Sequence, residues 1–239
     1  MPIYFASDMH LDEKKPELFQ AFFTFLDENQ HDMDSLYLLG DLFEYWIGDD
    51  DIQPLTHQFI NRLSNLHEQG TSCFIQHGNR DFLLGQTFLR QAKATLLADN
   101  YPLKMGEQTY VLCHGDLLCT LDIEYQKNRK WLHNPMLQFF LRKLPLAKRK
   151  QIADRMRARS HEFFHKQDQS VFEVTDESVH ALVDRFNADH VIHGHTHKPF
   201  THSISDNQNR YVLGSWSAEG GVIGKYSEDD GFQLIPFIK

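Results

Sequence analysis

The chain of 239 residues predicts an α/β sandwich. Three observations carry that class. Five short apolar runs each end on a polar residue able to do chemistry. Helical patterns separate several of them. After the last comes a series of further strand-like runs.

Taken in order, "IYFAS" (3–7) is β-branched and aromatic and ends at Asp8. A helix over 16–30 follows, opened by Pro16 in the tolerated first turn, with Leu18, Phe22, Phe25 and Leu26 on one face. "LYLLG" (36–40) ends at Asp41, and a helical pattern runs over 55–69. "SCFIQ" (72–76) runs into "HGNRD", and "TYVLC" (109–113) ends at His114. A helix over 175–187 starts at Thr175, with Asp176 and Glu177 in its first turn. "HVIHG" (190–194) then ends at His195, and "RYVLGS", "GVIGKY" and "FQLIPF" read as closing strands. There is no internal repeat and no low-complexity linker, so residues 1–239 read as one domain.

Bulk properties narrow the class. A 41% hydrophobic and 24% charged chain is globular. No apolar run approaches the ~18–20 residues of a membrane span. "MPIYFASDMH" lacks a basic region and carries Asp8 where a signal peptide stays apolar. Cys73, Cys113 and Cys119 make no disulfide framework, so a reduced, cytoplasmic protein is expected. The net charge of −9 hides an asymmetry: residues 127–159 hold 11 of the 24 Lys+Arg and one acid, Asp154. An acidic body with one basic segment is not a general nucleic-acid binder. It suits a metal-binding body with a segment that meets something anionic.

In open α/β sheets, sites form at the carboxyl ends of strands, so the five strand ends converge. They gather Asp8, His10, Asp41, Asn79, His114, His195 and His197. Carboxylate, imidazole and amide oxygen suit a borderline divalent ion rather than a soft thiolate site. Asp8-x-His10 and His195-x-His197 each put two side chains on one side of an extended segment. Seven ligands are too many for one ion with an open position and suit two ions. Asp41, alone on its strand end, is the natural bridge. Two such ions clamp a phosphoryl oxygen and activate water for in-line attack. Parity does not separate His193 from His195 and His197, nor His77 from Asn79. For His77 and His193 a packing or supporting role is expected. Trp46, Phe82 and the cysteines read as core or wall residues, and Asp49, Asp50 and Asp51 as turn or helix-cap acids. Asp81 and Asp116 read either as partners orienting a ligand histidine or as turn residues.

The ordered words D-x-H, G-D, G-N-R-D, H and G-H-T-H over residues 8–197 resemble the calcineurin-like metallophosphoesterases. That resemblance selects His195 and His197 over His193. Much of that superfamily has Gly-Asn-His where this chain has Gly78-Asn79-Arg80. Arg80 holds charge but gives up no proton, which points to a leaving group needing no general acid, such as the phosphate of a cleaved pyrophosphate. "GDLFEYWIGDDD", "HGNRDFLLG", "HGDLLCTLDIEYQ", "LPLAKRKQIADRMRARS" and "VLGSWS" are similar to the UDP-2,3-diacylglucosamine pyrophosphohydrolases of lipid A synthesis, over nearly the whole chain.

The resemblance implies a metallophosphoesterase β-sandwich flanked by helices, with a helical lid insertion at 127–165. It implies two Mn²⁺ ions, one held by Asp8, His10, Asp41 and His197, the other by Asp41, Asn79, His114 and His195. The implied reaction is water attack on the α-phosphorus of UDP-2,3-diacylglucosamine, giving lipid X and UMP, with Asp41, Asn79, Arg80 and His114 as the catalytic group. Asn79, Arg80, Asp122, Tyr125, Arg157, Ser160, Lys166, Gln167 and His195 are the implied substrate contacts. Some words depart from the family. Leu121 replaces the first acid of a paired "DD". Phe164 and Gln167 stand where an Asn and a Lys are usual, with Lys166 one position off. Gly214-Ser215-Trp216-Ser217 replaces "GAWH".

The insertion interleaves Trp131, Leu132, Met136, Leu137, Phe139, Phe140, Leu141, Leu144 and Leu146 with cations. Such a segment suits anionic lipid headgroups, or a groove for acyl chains; an ordinary amphipathic hairpin packed on the body is the plainer reading. The expected partners are the lipid-linked substrate and the inner-membrane surface, with no nucleic acid, for a peripherally attached monomer. A broader metallophosphodiesterase or nucleotide-sugar hydrolase on the same site is the alternative. A non-catalytic scaffold is expected to lack ligands, and none is missing.

Overall fold

In the computed structural model, residues 1–238 are described, apart from the side chains at 160–162 and 164–166. Two sheets stack face to face. The first contains β1 (Ile3–Ala6), β2 (Ser35–Leu39), β3 (Ser72–Gln76), β4 (Ala94–Leu96), β10 (Gly220–Ser227) and β11 (Gly231–Ile238), in the order β11-β10-β1-β2-β3-β4. The second contains β5 (Asn100–Met105), β6 (Gln108–Cys113), β7 (His190–His193), β8 (Phe200–Ser205) and β9 (Gln208–Val212), in the order β5-β6-β7-β9-β8. β1 through β4 run parallel, as do β6, β7 and β9; the hairpin partners are antiparallel.

The alternation of side chains along each strand builds the layers. Phe5, Tyr37 and Leu39 point between the sheets, where they meet Tyr110, Leu112, Ile192 and Phe232. Their neighbours Tyr4, Ala6, Leu36 and Leu38 point outward into a Phe-rich core under α1 (Pro16–Asn29), α2 (Pro54–Glu68) and α3 (Gln86–Ala92). On the far side, Val111, Cys113 and Val191 pack with the helix Asp176–Phe186. Both faces of the central strands are therefore apolar, which is why they read as continuous runs.

The predicted strand and helix positions hold to within a residue or two, except that the strand expected over "RYVLGS" (210–215) stops at Val212. Thr175 precedes its helix as expected, but its hydroxyl bonds Thr120 Oγ1 at 2.8 Å and does not cap the helix. Asp49 does serve as a cap: it accepts from the backbone N–H groups of Gly85, Thr87 and Phe88 at the start of α3. β4, β5, β8 and α3 had no clear sequence signal, being short or half-exposed.

The basic segment forms three helices, α4 (Ile123–Leu132), α5 (Pro135–Lys143) and α6 (Leu146–Lys166); the Asp176–Phe186 helix is thus α7. Helix begins four residues before the predicted 127 because Asp122 accepts the Tyr125 N–H and caps α4. Asn134 caps α5, and Pro135 and Pro145 set the breaks. Arg149, itself buried, ties α6 to the body through Asp50 and the Ile47 carbonyl (2.6 Å). α5 buries none of its residues, and Trp131, Met136, Phe139 and Phe140 stand more than half exposed. The segment still touches the body: Leu132 packs against the Phe-rich core, and Gln138 and Arg142 reach the carbonyls of Phe82 and Leu83. Among the described residues, no helix is long and apolar enough to cross a membrane.

Candidate metal centre

The site lies where both sheets present their strand ends. Asp8 and His10 follow β1, Asp41 follows β2 and Asn79 follows β3; His114 follows β6, while His195 and His197 follow β7. Asp8, His10, Asp41, His195 and His197 all have left-handed backbones, with φ between 46° and 67°. Such a conformation is uncommon for a residue with a Cβ. The other two non-glycine cases, Lys93 and Asn187, are helix C-caps. Five strained residues at one spot turn the chain sharply off the strand ends and aim the side chains inward.

Each ligand atom is oriented by a neighbour. Asp8 Oδ2 accepts from the Ser7 hydroxyl (2.6 Å) and the His195 N–H (2.9 Å). Its other oxygen, Oδ1, is buried without a hydrogen bond and lies 3.3 Å from His197 Nε2. His10 and His197 face each other, Nε2 to Nε2, at 3.1 Å. His114 Nδ1–H donates to the Leu39 carbonyl at 2.9 Å, leaving Nε2 turned to Asn79 Oδ1 at 3.0 Å. Asp41 reaches both ways: Oδ1 is 3.7 Å from His114 Nε2, and Oδ2 is 4.0 Å from His10 Nε2. Facing lone pairs and an orphaned carboxylate oxygen are what a divalent cation satisfies.

Two ligand sets lie with their atoms mutually within 4.8 Å: Asp8, His10 and His197, and Asp8, Asp41 and His114. Asp8 thus enters both, and neither includes His195, whose ring sits 5.0 Å from that of His114. Burial opposes a charge on His114, but the Asp41 and Asp8 carboxylates override it and raise its pKa to about 9. Burial raises Asp41 to about 7 and lowers His10 to about 3 and His195 to about 4. A proton on the cluster therefore stands in for missing cationic charge.

Arg80 holds its backbone N–H to Asp41 Oδ1 at 2.9 Å and its guanidinium to Glu44 at 2.7 Å. Glu44 was missed by the sequence reading. It also lies 3.7 Å from His10 Nδ1 and 4.0 Å from Arg157 Nε, and its only signal was its place three residues after Asp41. Arg157 rests on the Tyr45 ring at 4.5 Å. Asp81 holds the Gly78 and Leu42 N–H groups and so fixes the loops flanking Asp41. Tyr125 lies beside the site, its ring 6.4 Å from that of His195, with its hydroxyl on Asp116, which Arg129 also grips. Asp122 is occupied as a helix cap, and Gln167 ends α6. The side chains of Ser160, Phe164 and Lys166 lie outside the described residues. His77 bonds the Leu84 carbonyl and His193 is fully buried, both in supporting roles. Trp216 is a core residue whose backbone N–H donates to the Asp8 carbonyl at 3.2 Å.

A Cβ on Gly194 would lie 2.1 Å from Asp8 Oδ2 and 2.3 Å from Ser7 Oγ. Gly194→Ala is expected to destabilise the fold by about 1–3 kcal/mol and to weaken metal uptake, because the loop must move away from Asp8. Thermal melts and metal analysis check this; a variant matching the wild type in both would show that the approach is not required.

The profile of the calcineurin-like phosphoesterases matches residues 1–199. A protein of Ectopseudomonas mendocina named UDP-2,3-diacylglucosamine hydrolase is 40% identical over 238 residues, 98% of each chain. Its namesake in Photorhabdus laumondii is 41% identical over 236 residues, again 98% of each chain. Another, in Shigella dysenteriae, is 40% identical over 240 residues, 99% of each chain. A solved archaeal phosphodiesterase shares the fold with a TM-score of 0.50 at 14% identity, over 99% of this chain and all of its own. With the ligand words in order, the double sheet in place and relatives aligned from end to end, the chain belongs to the calcineurin-like phosphoesterases and, within them, to the UDP-2,3-diacylglucosamine hydrolase family.

Proposed function

We propose that the protein hydrolyses the pyrophosphate bond of UDP-2,3-diacylglucosamine in the lipid A pathway, with water entering at the α-phosphorus and lipid X and UMP leaving. The observation that carries this is the pair of ligand sets that share Asp8 and meet at Asp41, with Arg80 held beside them. The relatives' name supplies the substrate.

Asp8, His10, Asp41 and His197 would hold one divalent ion, and Asp41, Asn79, His114 and His195 the other, with Mn²⁺ the expected metal. Two bound ions supply Lewis acidity and a water acidic enough to act near neutral pH. Arg80, never deprotonated, meets the charge that builds on the phosphoryl oxygens. Glu44 keeps its fork turned to the site. Arg80 gives up no proton, and a departing sugar phosphate needs none. Asn79, Arg80, Asp122, Tyr125, Arg157, Ser160, Lys166, Gln167 and His195 are the proposed substrate contacts. The α4–α6 insertion acts as the lid, and its exposed Trp131, Met136, Phe139 and Phe140, set among lysines, dock on the inner membrane from the cytoplasmic side.

Hydrolysis of the lipid-linked substrate in ¹⁸O-water tests the reaction. Label in UMP and none in lipid X is expected. Cleavage of short soluble diesters, with no turnover of the lipid substrate, would instead favour a broader phosphodiesterase.

Metal uptake is expected to depend on pH. His114 must lose its proton to bind a cation, and its pKa is raised to about 9. Apparent affinity for Mn²⁺ therefore climbs up to about pH 9, roughly tenfold per unit for each proton displaced. Calorimetric titrations in buffers of different ionisation enthalpy count those protons; a flat pH profile would remove the proton from the cluster.

A further inference from the structure

The third histidine of "VIHGHTHKPF" has no place in the metal centre, yet it is fully buried and well partnered. His193 Nδ1–H donates to the Gly194 carbonyl at 2.8 Å, and Nε2 accepts from Arg210 Nη1 at 3.2 Å. Arg210 is half-buried and makes no ion pair among the described residues. A guanidinium held in place by a buried imidazole, with donors to spare, is ready for a ligand's oxygens.

What Arg210 lines is a cavity of about 350 Å³ on the outer face of the five-stranded sheet. Strand register explains the lining. His202 pairs with Arg210 across β8 and β9, and Phe200 lies two residues away on the same face. Phe200 is 61% exposed, an unusual state for a phenylalanine, and its ring stands edge-on to His202 at 4.8 Å. Thr196, the residue between His195 and His197, also lines the cavity, so it opens directly beside the metal loop. Glu173, paired with Lys198, completes the wall.

An exposed aromatic face, a fixed guanidinium and a carboxylate, in a cavity that reaches Thr196 of the candidate metal loop, match a nucleoside: base on ring, carbonyl oxygens on the guanidinium, ribose hydroxyls on the carboxylate. A second cavity of about 340 Å³ flanks His197 on the other side, but its only charged lining residue is Glu219, and it offers neither a guanidinium nor an exposed ring with such a partner. We infer that the Phe200–His202–Arg210 cavity is the subsite for the uridine half of the substrate. This deepens the proposed function and rests on it. It also leaves the insertion side free for the acyl chains, so the two halves of the substrate lie on different elements.

The test is titration calorimetry of the full-length, Mn²⁺-loaded protein with UMP and with inorganic phosphate. Wild type is expected to bind UMP at least about tenfold tighter than phosphate, the scale of one base stacked on an aromatic ring. Phe200→Ala should erase most of that ratio, and Phe200→Trp should restore it. Because Phe200 is exposed on an edge strand, neither change threatens the fold. Arg210→Gln should lower the ratio as well. UMP binding no tighter than phosphate, or a ratio indifferent to Phe200, overturns the subsite. Turnover of UDP-2,3-diacylglucosamine in the same preparations separates the two readings. If wild type turns it over and Phe200→Ala changes neither its KM nor the UMP ratio, the subsite falls and the function stands. If wild type is silent on it while the ratio still depends on Phe200, the function falls and the cavity stands as a nucleotide site.

Discussion

Asp41→Asn is expected to lower kcat/KM by at least about a thousandfold and, at the same time, to raise the melting temperature of the metal-free protein. The catalytic loss follows from position. One oxygen of Asp41 turns to His114 and the other to His10, so its loss leaves Asp8, which enters both ligand sets, as the one carboxylate spanning them. The gain in stability follows from burial. Asp41 is almost fully enclosed, with Asp8 and Asp81 for company, and its pKa is raised from 3.8 to about 7. A raised carboxylate contributes its stability below the unfolded pKa and loses it as pH rises through the folded one. The native protein is therefore penalised by this charge at pH 8 and not at pH 4. An amide still accepts the Arg80 N–H and carries no charge. A gain of about 2–4 °C at pH 8, vanishing in acid, is expected by scanning calorimetry. A metal-free variant that melts lower than wild type at pH 8 would show that the attraction to His114 outweighs desolvation.

Arg80→Ala should cut kcat/KM by about 10²–10³ while metal content stays at the wild-type level. The guanidinium is not a ligand; it is partly exposed and clasped by Glu44. Its removal takes away charge that the transition state needs and leaves the ions in place. Arg80→Lys should recover only part of the loss, because an ammonium cannot span Glu44 and a phosphate oxygen together. Steady-state kinetics beside metal analysis decide the matter. Full activity in Arg80→Ala, or loss of metal from it, would remove the assigned role.

Much of this was legible in the sequence, and the reason is physical. Strands buried on both faces show as apolar runs, and a polar residue at the end of such a run has few roles other than a site. Asp8, Asp41, His114 and His195 were visible on that basis alone. What stayed hidden depends on the third dimension. Glu44 sits in an ordinary acidic loop, and only the fold carries it to Arg80 and His10. The left-handed backbone at Asp8, His10, Asp41, His195 and His197 leaves no trace, because Asp and His adopt it more readily than most residues but are far more often found without it. β8 was unreadable because half of it faces solvent, and with it went Phe200 and its cavity. The insertion showed its apolar residues in the sequence but not that α5 buries none of them.

The ligands are divided between the two sheets: Asp8, His10, Asp41 and Asn79 hang from the six-stranded one, His114, His195 and His197 from the five-stranded one. Under the proposed metal site, cations held between them would act as rivets through the sandwich, and metal affinity would gauge how the sheets sit on each other. A cavity opened far away, at Phe5 or Tyr37 in the layer between the sheets, should then register as altered metal affinity before it registers as unfolding. In such a molecule, the catalyst reports on its own core.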